Sequence, residues 1–111
     1  MPTIDAAASD GRLIALGIEV ADAVRSALGN LASGGMTGAR EGQYAFDVIA
    51  DDAALAVLGS AGVKVLSEES GVDADAWPLR ANDLLAILDP LDGSTNADRG
   101  VPWYSTSIAF V

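Results

Sequence analysis

Leu13, Leu16, Val20, Val24 and Leu28 recur at three- and four-residue steps and predict one apolar face of a helix over Asp10–Leu28. Ser9 or Asp10 stands where an N-cap belongs, and Gly29-Asn30 supplies a stop. Alanines around that stripe allow close packing against the rest of the fold. From Ala32 to Gly42 the apolar period is lost among four glycines, Gly34, Gly35, Gly38 and Gly42, and a flexible loop is expected. A short helix is expected over Asp51–Leu58, with Asp51 or Asp52 near its N-terminus, where an acid suits the helix dipole. Val63-Lys64-Val65-Leu66 is a β-rich run that ends abruptly at Ser67-Glu68-Glu69-Ser70-Gly71. Val72 to Asp83 reads as a polar linker. Leu84-Leu85-Ala86-Ile87-Leu88 is wholly apolar and bounded by Asp83 and Asp89. Such a run suits a strand buried on both faces, with a buried helical turn as the alternative. A turn-rich stretch follows from Asp89 to Asn96, and Ser105 to Val111 reads as a last strand. The order helix, loop, helix, strand, acidic loop, strand, acidic turn, strand favours an α/β or layered α+β architecture over a bundle or a sandwich of sheets.

Composition narrows what such a fold can do. The 111 residues are half hydrophobic and suffice for one domain with a core. Sixteen acids against six bases give a net charge of −10, which leaves no basic footprint for nucleic acid or an anionic membrane. The chain has no cysteine and no histidine, so disulfides, thiolate or imidazole metal sites, cysteine nucleophiles and imidazole acid–base chemistry are all excluded. No stretch approaches the ~18–20 apolar residues of a membrane span, and Met1–Asp10 lacks the basic and apolar regions of a secretory signal. A cytoplasmic protein is expected, whose chemistry runs on carboxylates, hydroxyls and backbone groups.

Two acidic clusters fall at strand ends: Glu68-Glu69 after the first strand, Asp89 and Asp92 after the second. If those strands are parallel neighbours, both clusters emerge at one edge of the sheet, the usual ligand edge of α/β folds. Carboxylates gathered there repel one another unless a cation lies between them, and oxygen donors suit Mg²⁺ or Mn²⁺. Pro90 holds Asp89 extended, and Gly93 removes a side chain where a ligand must approach the backbone. Ser94, Thr95 and Asn96 suit a helix start, whose amides can face an anion. Carboxylates for a metal beside bare amides for a phosphate are the equipment of metal-assisted phosphoryl transfer.

The run Asp89-Pro90-Leu91-Asp92-Gly93-Ser94-Thr95-Asn96 resembles the signature of the inositol monophosphatase family, within the Mg²⁺-dependent, lithium-sensitive phosphatases. Glu68-Glu69-Ser70 resembles its paired-glutamate motif, and Gly100 to Tyr104 with Ser107-Ile108-Ala109 resemble the segment after the signature. The resemblance spans residues 44–111 and implies the N-terminal portion of an αβαβα sandwich, with helices on a mixed sheet. The rest of such an enzyme, including a further metal-binding aspartate, is expected from a C-terminal half absent from this chain. It implies a Mg²⁺-dependent phosphomonoesterase, with Mn²⁺ as the alternative ion, acting on a small phosphorylated metabolite by metal-activated water, and a homodimer as its assembly. Glu68, Asp89, the Leu91 carbonyl and Asp92 are implied as metal ligands. Gly93, Ser94 and Thr95 are implied at the phosphate, with Glu68 and Ser94 orienting the attacking water. Family members carry a further aspartate in a threonine-x-x-aspartate pattern; here Asp51 is taken as the partner of Ser94, with Asp47 as rival, and the run Asp47-Val48-Ile49-Ala50-Asp51 has no threonine. Fructose-bisphosphatase-like members share the start of the signature, whereas adenosine bisphosphate phosphatases carry lysine where Thr95 stands.

Other readings of these residues fare worse. A calcium loop over Asp92, Ser94, Asn96 and Asp98 would need glycine and glutamate where Ala97 and Trp103 stand. Gly34, Gly35 and Gly38 follow no strand and do not form a dinucleotide fingerprint. Trp77, Trp103 and Tyr104 read as packing residues, and Asp73 and Asp75 as a solvated linker. The competing function is a non-catalytic module that keeps the cation and phosphate loop without turnover.

Overall fold

The structure, a computed structural model, describes residues 4–33, 39–72, 78–92 and 105–111. Helix α1 (Asp10–Ser33) begins where expected, with Ser9 as its cap: the Arg12 amide donates to Ser9 Oγ at 3.3 Å. Its buried face is the expected stripe, Leu16, Val20, Val24 and Leu28, with Leu13 at its margin. The helix runs past the proposed stop, so Gly29 and Asn30 lie within it.

The second helix departs further from expectation. Helix α2 (Ala39–Ser60) has 22 residues and takes in the end of the proposed loop as well as the short helix. Asp51 therefore sits well inside α2, not at its N-terminus. The reason is the buried face formed by Phe46, Ala50, Ala54 and Leu58 at four-residue steps, which packs against α1. Gly34, Gly35 and Gly38 lie outside the described residues.

Four strands form one mixed sheet: β1 (Lys64–Ser67), β2 (Gly71–Val72), β3 (Leu85–Asp92) and β4 (Ser105–Phe110), in the order β2-β1-β3-β4. The first pair to matter is β1 with β3, which are parallel and adjacent, with Ser67 opposite Leu88. Strand β4 runs antiparallel to β3, and the backbone of Val111 pairs with Leu85 beyond it. Strand β2 occupies the start of the expected linker and pairs antiparallel with β1. Gly71 opens it at φ 78°, a conformation open to glycine at little cost.

Both helices cover the same face of the sheet. Val63, Val65, Ala86, Leu88, Ile108 and Phe110 join the helical stripes in one core. Among the described residues no element covers the other face, and Ile87 on it is 43% exposed. By the described residues the apolar run in β3 is thus covered on one side, where burial on both was expected. Strand β3 also continues through Pro90 to Asp92, where a turn was expected. Its pairing with β4 slips between Asp89 and Asp92, and a bulge is where a strand tolerates a proline. Thr106 Oγ1 donates to the Pro90 carbonyl at 2.9 Å and ties that segment to β4.

Candidate functional site

The parallel register decides where the acids go. With Ser67 opposite Leu88, the next residues of the two chains are Glu68 and Asp89, and the Glu68 amide donates to the Leu88 carbonyl at 2.9 Å. Parallel strands lie about 4.8 Å apart, so Glu68, just past the end of β1, stands beside Asp89 of β3. Both line an open groove on the uncovered face, floored by Leu66, Ile87, Ser107 and Ala109. Leu91 is buried near the end of β3, and Asp92 closes that strand opposite Ser105. Gly93, Ser94 and Thr95 lie outside the described residues.

On the helix-covered side, alternation along the first strand turns Val63, Val65 and Ser67 toward α2. Ser67 and Asp51 are the buried polar side chains among the described residues, at 2% and 3% exposure. The Ser67 hydroxyl donates to Asp51 Oδ1 at 2.5 Å, and the Glu69 amide donates back to Ser67 Oγ at 3.2 Å. One hydroxyl thus links the carboxyl on α2 to the glutamate turn after β1. A buried carboxyl without such a partner would be costly, which is why it lies beneath a strand end that presents a hydroxyl.

Among the described residues the acids at this end of the sheet act on one another. Desolvation first, and then the charges of Asp47, Asp51 and Asp89, hold the Glu69 carboxyl above its ordinary range. Glu69 therefore senses acids from α2 and from β3 together. Of the residues singled out from sequence, Glu68 and Asp89 stand side by side, Leu91 and Asp92 end β3, Asp51 is buried beneath β1, and Asp47, Asp51 and Asp89 all act on Glu69. Ser67 and the field at Glu69 were missed. Period-two alternation from Val63 would have turned Ser67 inward.

In donor chemistry the set fits a hard cation, since every candidate is a carboxylate or carbonyl oxygen in a field that a positive charge would relieve. Among the described residues no three acids lie close enough together to hold an ion by themselves. The remaining oxygens would have to come from outside the described residues.

Comparison with known proteins agrees with this layout. Residues 11–111 match the inositol monophosphatase family. A protein of Archaeoglobus fulgidus named fructose-1,6-bisphosphatase/inositol-1-monophosphatase is 48% identical over 66 residues, covering 60% of this chain and 24% of that protein. A class 1 fructose-1,6-bisphosphatase of Paracoccus denitrificans is 47% identical over 62 residues, covering 55% and 18%. Among solved structures, an extragenic suppressor from Pyrococcus furiosus superposes with a TM-score of 0.68 at 25% identity, over 93% of this chain and 41% of that one. The extragenic suppressor protein suhB of Bartonella henselae shares the fold, with a TM-score of 0.64 over 89% of this chain and 38% of that one. The chain spans about a quarter or less of the length of these curated relatives. With residues 11–111 matched and the two acidic motifs brought together by one parallel strand pair, the chain belongs to the inositol monophosphatase family.

Proposed function

We propose that the protein carrying this segment is a Mg²⁺-dependent phosphomonoesterase acting on a small phosphorylated metabolite, an inositol monophosphate or a sugar phosphate. The observation that carries the reading is the parallel pairing of β1 with β3, which sets the paired glutamates beside Asp89 in a chain of this family. Relatives named fructose-1,6-bisphosphatase/inositol-1-monophosphatase support the substrate class. We place it in the cytoplasm and as a homodimer. Among the described residues no helix is long and apolar enough to cross a membrane, and the charge of −10 disfavours nucleic acid as a partner.

Glu68, Asp89, the Leu91 carbonyl and Asp92 would hold Mg²⁺, or Mn²⁺ in its place. When bound, such an ion supplies positive charge against the phosphate and acidifies water. The chain's own groups do the rest. The amides of Gly93 and Ser94, with Thr95 beside them, hold the phosphate. Glu68 and the Ser94 hydroxyl orient the attacking water for in-line displacement, and Asp51, or Asp47 in its stead, fixes the Ser94 hydroxyl.

The test is phosphate release by the native protein from inositol monophosphate and fructose 1,6-bisphosphate, with Mg²⁺ titrated. Release should require Mg²⁺. Asp92→Asn removes a ligand charge and should weaken metal binding and rate together. Ser94→Ala should leave metal affinity nearly intact and lower kcat by about 10²–10⁴-fold, the range for positioned proton-transfer groups. Full activity of Asp92→Asn at low Mg²⁺, or no release from any phosphomonoester, would contradict the proposal.

A further inference from the structure

We propose that Ser67 is a positioning residue that binds the Asp51 carboxyl beneath β1 and the glutamate turn after it into one unit, so that the turn holds a fixed place at the sheet end. The inference rests on the phosphatase reading above. It stands on geometry: the Ser67 side chain is 2% exposed, its hydroxyl proton is committed to Asp51 Oδ1, and its oxygen accepts the Glu69 amide. Asp51 belongs to α2, whereas Glu68 and Glu69 follow β1. This hydroxyl is a buried polar tie between the two elements at this end of the sheet. A serine hydroxyl suits the task because it donates and accepts at once. Alanine keeps the strand and the packing but leaves a buried carboxyl oxygen and a backbone amide without that partner.

Groups that orient ligating or reacting carboxylates typically cost about 10–100-fold in metal affinity or activity when removed. Ser67→Ala is therefore expected to weaken Mn²⁺ binding, measured by electron paramagnetic resonance without substrate, by at least about fivefold. It should also lower kcat by about 10–100-fold with KM little changed. Ser67→Thr restores a hydroxyl and should recover most of both losses. In an Asp51→Ala background the additional Ser67→Ala change should cost less than about twofold in kcat, because the residue acts through Asp51. If Ser67→Ala does not fold, Ser67→Cys keeps the shape with a much weaker donor and carries the same measurements.

Mn²⁺ affinity and kcat of Ser67→Ala within about twofold of wild type would overturn the assignment. So would an undiminished kcat penalty in the Asp51→Ala background, which marks a structural role alone. Wild-type protein that binds no Mn²⁺ and releases no phosphate is a different failure. It would sink the phosphatase reading first, and this inference with it.

Discussion

Glu69 shows how a single residue reports the electrostatics of the site. Its carboxyl is held above the ordinary value by desolvation and by Asp47, Asp51 and Asp89. The folded protein therefore binds this proton more tightly than the unfolded chain does. The group lowers stability progressively as pH rises from the unfolded value through the folded one, and the loss is constant above that. With divalent ions chelated, Glu69→Gln is expected to unfold at a higher temperature than wild type at pH 7. The gain should vanish below the unfolded glutamate value and shrink at high salt, since exposed charges are screened. A lower melting temperature for Glu69→Gln at pH 7 would contradict this. The acidic pair itself was legible in the sequence; Asp51 was taken there as the partner of Ser94, and the structure shows it buried while Asp47 is half-buried. What could not be read was which neighbour faces which side of the strand end, because that depends on a register set by β3 and a helix packed beneath it.

Helix α2 was half visible for an identifiable reason. Alanines carry half of its buried face, and Asp47, Asp51 and Asp52 interrupt the pattern that a period search detects. Packing against α1 overrides the weak local signal. The Leu58 side chain is fully enclosed, so Leu58→Ala should cost about 2–5 kcal/mol in chemical denaturation, the range for emptying a core position. Asp52, exposed on the same helix, should lose less than about 0.5 kcal/mol on change to Asn. Equal losses at the two positions would show that the buried face is misassigned. The strands were easier, because β-rich runs bounded by acids and glycines announce themselves. Pro90 misled by suggesting a turn, where the bulge between β3 and β4 lets the strand continue to Asp92.

At the scale of the whole molecule, the layered order of helices on a mixed sheet was readable, and so was the convergence of two acidic motifs at one sheet end. The uncovered face was not. Leu66, Ile87 and Ala109 form an apolar band across three strands, in a sequence patterned for burial on both sides of β3. The same register that aligns this band puts Glu68 beside Asp89, so the site and the bare face belong to one surface. The account stands on those two acids sharing an ion with Asp92. Mn²⁺ soaked into crystals of the native protein gives an anomalous signal that locates the ion directly. The expected peak lies within ligand distance, about 2.0–2.3 Å, of Glu68 and Asp89 oxygens, and of the Leu91 carbonyl or Asp92. A protein that hydrolyses phosphomonoesters with Mn²⁺ bound elsewhere, and with no ion between Glu68 and Asp89, would contradict it.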